Sequence, residues 1–395
     1  MVEGFHTIQM YKLGSATHCD EQSCWAMDLA MPWWAKSRWP DYHWDLNVQM
    51  SYWLHLPSNH AQHGMSLVRM MQRNLNVLKH NVPPQFQNNS AGLTTSGGFQ
   101  GAMACNNFGG AANISGICYL YAPPVPANDT CAVRDHNPVC VAVQIGQLTW
   151  VAHNLWWQHR YSLDPEALDT AVSILMPAIA YYMRLMVRGA DGKVHLGRME
   201  SPEYCTASDT NYDLALFRWG IGTLIFIADH LRPALQREPA YTNWHDVVIN
   251  LTPAPVDNQT GLLSGINFGR GVELNSPDRH WSHLFSLFPL VLRDPSSDAV
   301  ALTSLDHFAR TNGAELYQPK AANGFPAVAI SIMSGMVPGR EMEAYQNVSN
   351  WLLLGAAAND GRDGGAWMPN FSPSTMYQEA NGSPCNESPL GAAFA

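Results

Sequence analysis

Charge is scarce in this chain. Only 14% of its 395 residues are Asp, Glu, Lys or Arg, against about 25% in an average globular domain. Asn, Gln, Ser, Thr and His must therefore supply much of the surface polarity. The net charge is −10 and no dense Lys/Arg run occurs. That argues against a nucleic-acid or anionic-membrane partner. No stretch approaches the ~18 apolar residues of a membrane-spanning helix, so no membrane partner is expected. There is no CxxC pair and no HExxH motif, so neither a zinc site nor another metal or cofactor is expected. The opening "MVEGFHTIQMYK" has no apolar core of a signal peptide.

What is present points outward. Asn88, Asn113, Asn128, Asn250, Asn258, Asn347, Asn370, Asn381 and Asn386 each have Ser or Thr two places on. Chance would give about three such sequons for this composition. Eight cysteines agree with an oxidising compartment. Cys105–Cys118 and Cys131–Cys140 flank loops and are expected as local disulfides. The expectation is an extracellular, secretory or lysosome-like glycoprotein. A fragment whose N-terminus lies upstream reconciles this with the missing signal. At the other end, "ESPLGAAFA" stops inside an apolar run, as if a last helix were incomplete.

Helical periodicity dominates. Leu67, Met70, Met71, Leu75 and Leu78 make one stripe, and Leu148, Val151, Ala152, Leu155 and His159 another. Asp164 and Pro165 open a third helix as N-cap and first residue, with Pro177 expected to kink it. Leu214, Phe217, Ile221, Leu224, Ile225 and Ala228 form a fourth stripe. Further helices carry Ala301, Leu305 and Phe308, and Met342, Tyr345 and Trp351. Strand patterns are short and few. The reading is an all-α domain of about nine to twelve helices, with a lead-in over 1–34 and the domain over 35–395. Long loops rich in Gly, Pro and Asn cover 83–116, 122–139, 252–280 and 355–390. Loops of that length, carrying Trp, Tyr and His, suggest function.

Four polar clusters precede helices. The first is "PDYHWDLNVQMSYW", residues 40–53. In an extended segment, residues i and i+2 face the same way. An extended Asp45-Leu46-Asn47 would thus aim a carboxylate and an amide at one point, with Val48 to Leu56 helical behind. The plainer role for Asn47 is a helix cap. In the second, "RMESPEYCTASDTNYD" over 198–213, Glu200 and Glu203 bracket Ser-Pro. Partial burial of such a carboxyl raises its pKa, as a general acid requires. Asp209 or Asn211 is expected to cap the next helix. The third, "SPDRHWSHLFSLFP" over 276–289, sets Arg279, His280 and His283 around Trp281. The fourth, "GSPCNESPLGAA" over 382–393, carries Glu387 at a helix entrance. Carboxylates on several loops, with amides, imidazoles and Trp rings, suit a carbohydrate cleft. Trp33, Trp34, Trp39, Trp44 and Trp281 are the candidate stacking faces, although any one of them fits a Trp-rich core equally.

These stretches resemble a known family. "DYHWDLNVQMSYW", "SPEY" and "RHWSHLFSLFP" are similar, in order and rough spacing, to the "DYHxNxNxQMNYW", "SPE" and "HRHxSHLxGLYP" stretches of glycoside hydrolase family 95. The resemblance implies an (α/α)6 toroid between a β-sandwich domain and a small β domain. It implies an inverting exo-hydrolase for terminal α-L-fucosyl or α-L-galactosyl residues. Residue by residue it makes Glu203 the general acid and Asn47 the second of two water-holding asparagines. Asp45 replaces the first asparagine. Glu387 stands in the place of the aspartate base, and Asp278 where the family has His. It aligns Arg279, His280 and His283 with the family's arginine and histidines. His43, Trp44, Trp39 and Trp281 join the expected sugar contacts.

Two other readings share these residues. One is a glycan-binding protein without turnover, favoured by the altered water side. The other is a different (α/α)-barrel carbohydrate enzyme, such as a polysaccharide lyase using Tyr42, His43 or Tyr204, or a glycoside phosphorylase.

Overall fold

Two kinds of helix alternate along the chain, and burial tells them apart. The structure, a computed structural model, describes residues 2–20, 23–27, 42–44, 46–97, 111–114, 117–120, 144–202, 205–264, 280–316, 324–357 and 394. The α-helices among these residues are α1 (Val2–Ala16), α2 (Asn47–Ser51), α3 (Met65–His80), α4 (Gln147–Ser162), α5 (Pro165–Leu185), α6 (Asn211–His230), α7 (Ala240–Asn250), α8 (Ala299–Leu316), α9 (Gly324–Gly335) and α10 (Glu341–Ala357). Helix α4 is buried without a break from Gln147 to Trp156, and α9 from Phe325 to Ser331. Helices α3, α5, α7 and α8 instead bury one stripe and expose the opposite face. A helix apolar or buried all round belongs inside, and a striped one outside. In chain order the inner positions fall to α2, α4, α6, the short turn Ser282–Leu284, α9 and the helical residue Phe394. The striped helices lie between them in sequence and pack behind: α5 covers α4 and lies beside α3, α7 covers α6, and α10 covers α9. The result is the expected all-helical (α/α) toroid built of hairpins.

The strands are minor and form two-stranded antiparallel sheets only, among the described residues. They are β1 (His18–Cys19) with β2 (Cys24–Trp25), β3 (Tyr42–His43) with β4 (Ser96–Gly97), β5 (Ala111–Ile114) with β6 (Ile117–Leu120), β7 (Met186–Arg188) with β8 (Val194–Leu196), and β9 (Met199–Ser201) with β10 (Cys205–Ala207). Burying a Leu or Phe contributes ~1.5–3 kcal/mol, whereas one helix cap contributes ~1 kcal/mol. Packing of the inner helices therefore decides the assembly, and caps decide where each helix starts. Asp164 caps α5 as expected, accepting from Glu166 N at 2.7 Å and from Ala167 N at 3.4 Å. Helix α5 then continues through Pro177.

Several local expectations need correction. The extended segment of the first cluster ends at His43, not Asn47. Leu46 has φ −161° and ψ −11°, and Asn47 is already the first residue of α2. The cause is a side-chain bridge: Gln49 Nε2 donates to the Trp44 carbonyl at 2.5 Å, folding the chain back before a strand can continue. The α-helix also stops at Ser51, and hydrogen-bonded turns carry the chain on to Asn59. Neither Asp209 nor Asn211 caps α6. Thr210 does, its Oγ1 accepting from Asp213 N at 3.1 Å. Helix α1 adds Phe5 and Leu13 to the core. Met342 and Tyr345 lie on the exposed face of α10, while Val348 faces inward.

Candidate functional site

Three of the clusters, spread over residues 40–289, meet in space; the fourth, 382–393, lies outside the described residues. Trp53 of the first packs edge-on to Phe288 of the third, with ring centroids 5.0 Å apart. Ser201 of the second donates from Oγ to Ser282 Oγ of the third at 2.7 Å, and both side chains are buried. Ser282 Oγ in turn reaches the Pro202 carbonyl at 3.4 Å. Phe394, which follows the fourth cluster, lies 5.7 Å from Trp53 and 6.2 Å from both Trp157 and Phe288. One aromatic nest thus joins the first and third clusters and Phe394, and the second cluster is hydrogen-bonded to it through Ser282.

Each support arises from local chemistry. Residues 42 and 43 are held extended by the pairing of β3 with β4, and Trp44 N, just beyond, donates to the Thr95 carbonyl at 2.6 Å. Behind them runs an amide chain: Gln49 Nε2 donates to Gln147 Oε1 at 2.9 Å, and Gln147 Nε2 to Gln144 Oε1 at 2.5 Å. Thr95 Oγ1 donates to the same Gln144 oxygen at 3.0 Å. A Cβ at Gly146 would stand 2.5 Å from both Leu216 and Tyr212, so glycine lets the start of α4 approach α6. Trp150 of α4 then meets Phe285 edge-on at 4.5 Å, and Tyr212 of α6 meets the same ring at 4.8 Å. The β9–β10 hairpin is fixed at its far end by Asp209. Its carboxylate accepts from Leu196 N and from His195 Nδ1, each at 2.7 Å. Partial burial of His195 opposes its charge, but the Asp209 and Asp191 carboxylates outweigh it and raise the imidazole pKa.

Buried titratable groups surround this frame. Asp213 sits at the start of α6, where burial pushes its carboxyl up to about 7. Tyr182 and Thr210 both donate to it at 2.7 Å and offset part of that cost. Tyr182 is itself pushed well above its ordinary value by burial and by Asp213. Burial takes His55 down to about 4, despite its contact with Gln158 Oε1 at 2.9 Å, and His153 down to about 3. Among the described residues no group of three or more His, Cys, Asp or Glu side chains is placed to hold a metal ion.

The residues expected from sequence divide into two sets. His43 lies on β3 and is buried, as are Trp44 and Asn47. Trp44 stacks on Tyr42 at 5.7 Å. His280 lies against Phe325 of α9 and His283 against Phe308 of α8, so the two imidazoles face different helices. Trp281 is buried and donates from Nε1 to the Phe288 carbonyl at 3.1 Å. Glu203, Glu387, Asp45, Arg279, Trp39, Trp33 and Trp34 lie outside the described residues. So do both members of the Cys131–Cys140 pair and Cys105 of the other expected disulfide. The structure joins Cys19 to Cys24 across β1 and β2. Sequence reading also missed the amide chain through Gln49, Gln144 and Gln147, and Ser282 as the link between clusters. The signal for Ser282 was its place inside the third cluster.

The backbone as a whole has a solved counterpart. A metal-independent α-mannosidase of Streptococcus pneumoniae, captured in a non-productive complex with α-1,6-mannobiose, matches 99% of this chain and 91% of its own, with a TM-score of 0.54 and 8% identity. The fold is of the six-hairpin glycosidase type. At that identity the likeness concerns the fold alone. No family model matches the sequence, and no curated protein does.

Proposed function

We propose that this chain is a glycoside hydrolase that removes a terminal α-linked sugar from a glycan. The observation that carries this is the meeting of three polar clusters, with Phe394, around one aromatic nest in a glycosidase-type toroid. The substrates to test are α-L-fucosides and α-L-galactosides, from the cluster resemblance, and α-D-mannosides, from the solved counterpart. In this reading Glu203 protonates the leaving oxygen. Glu387, with Asp45 and Asn47, positions and deprotonates the attacking water. Arg279, His43, His280 and His283 bond sugar hydroxyls, and Trp39, Trp44 and Trp281 shape the cleft. Inversion needs the two carboxyl groups ~6.5–9.5 Å apart to admit the water. The nine sequons and the Cys19–Cys24 bond support a secretory origin.

The test is a panel of aryl glycosides of these three sugars, assayed with chelator present, and with the product anomer followed by NMR. Release of one sugar with inverted configuration is expected. In an active preparation, Glu203→Gln should slow substrates with poor leaving groups by ~10²–10⁴-fold. It should spare good leaving groups, which need little protonation. Glu387→Gln should slow both. Equal loss on both substrates from Glu203→Gln would remove it as the acid.

The replacement of the water-side residues at Asp45 and Glu387 favours a second reading, a glycan-binding protein without turnover. Sugar binding with no hydrolysis across the panel would select it. Unsaturated products would select a lyase, and phosphate-dependent turnover a phosphorylase.

A further inference from the structure

An open groove of about 620 Å3 runs along the outside of the toroid between α3, α5 and the start of α7. Met176 and Met183 of α5 and Trp244 of α7 give it an apolar floor, and Lys79, Glu238 and Asn243 a polar rim. Asn89 lines it as well. The residue before it, Asn88, is exposed and begins the sequon Asn88-Asn89-Ser90. This turn is anchored on both sides. Phe86 lies 6.2 Å from Tyr181, with the Arg184 guanidinium 6.0 Å from the Phe86 ring. Ala91 N donates to the Pro177 carbonyl at 3.2 Å. The Asn88 backbone is therefore held beside the α5 face that floors the groove.

We propose that Asn88 carries an N-linked glycan whose first sugars occupy this groove. The Asn88 carboxamide nitrogen displaces the lipid pyrophosphate from the anomeric carbon of a lipid-linked oligosaccharide. It loses one amide proton as the N-glycosidic bond forms. The groove matches the chemistry of the first sugars. N-acetylglucosamine is uncharged, with acetamide methyls and ring C–H faces for the methionines and hydroxyls for the Lys79, Glu238 and Asn243 rim. Its volume falls in the range of small-molecule sites, ~300–1,000 Å3. Asn258 provides the contrast: it is also an exposed sequon residue, in a turn that does not line the groove.

The proposal rests on the secretory reading and not on hydrolase activity. The test is secretion of the chain from eukaryotic cells, followed by site-resolved mass spectrometry. An endoglycosidase that cuts between the first two sugars is then applied to native and denatured protein. Native release at Asn88 should be at least about tenfold slower than denatured release, with no such protection at Asn258. Ala180→Leu, which fills part of the groove, should keep Asn88 occupied but speed its native release. An occupied Asn258 with a bare Asn88 would overturn the site alone. No occupied sequon would overturn the secretory reading with it. Native release at Asn88 as fast as denatured release would overturn the seating.

Discussion

Buried ionisable side chains set the pH response, and their signs conflict. His55 and His153 stay neutral in the folded protein far below their ordinary value of 6.5. Each therefore binds a proton on unfolding, which stabilises the fold above pH ~6.5 and destabilises it as pH falls. Asp213 does the reverse. Its folded carboxyl keeps a proton up to about pH 7, while the unfolded one releases it near pH ~4. Its stability contribution is full at low pH and is lost as pH rises. Between pH ~4.5 and ~6 these three groups together take up two protons and release one on unfolding. The net is one proton, or about 1.4 kcal/mol of stability gained per pH unit. Asp213→Asn removes the opposing proton, so the slope of stability against pH should steepen by about 1.4 kcal/mol per pH unit. Chemical denaturation at several pH values measures this. A shallower slope in the variant would contradict the assignment of Asp213 as the protonated group.

At the scale of elements, the junction of α4 and α5 offers two adjacent substitutions with opposite signs. Leu163 closes α4 in the left-handed region at φ 56°, with its side chain 74% exposed. A left-handed L-residue costs ~1–2 kcal/mol, and glycine avoids most of that, less its own chain entropy. Little burial is at stake, so Leu163→Gly should stabilise by about 0.5–1 kcal/mol. Asp164→Ala, one residue on, removes the α5 cap and should destabilise by about 1 kcal/mol. Thermal melts of the two variants, run side by side, should move in opposite directions. Both elements were legible from sequence because a cap and its first helical proline are contacts between near neighbours. Helix α2 was not. The amide of Gln49 bends the chain there, and nothing in the sequence indicates that Gln49 reaches back to Trp44 as well as across to Gln147.

At the scale of the whole molecule, one residue near the C-terminus draws distant parts of the ring together. Phe394 packs against Trp53, Trp157 and Phe288, which come from three inner positions of the toroid. It is half-buried, so Phe394→Ala should cost about 2 kcal/mol, below the ~3–5 kcal/mol of a fully buried Phe. Equilibrium unfolding of the variant measures this, and no loss of stability would mean the nest does not help close the ring. The sequence by itself determined that the chain is helical. It also determined which faces of α3, α5 and α8 are apolar and which polar clusters deserve notice. Periodicity and capping act within a few residues and leave their mark in the order of letters. Only the tertiary structure decided which helices stand inside, because a buried glutamine or histidine reads as surface until a partner such as Gln147 or Gln158 satisfies it. The meeting of Ser201 with Ser282, and of Phe394 with Trp53, also belongs to the tertiary structure. Those contacts span distances along the chain over which local propensities carry no information.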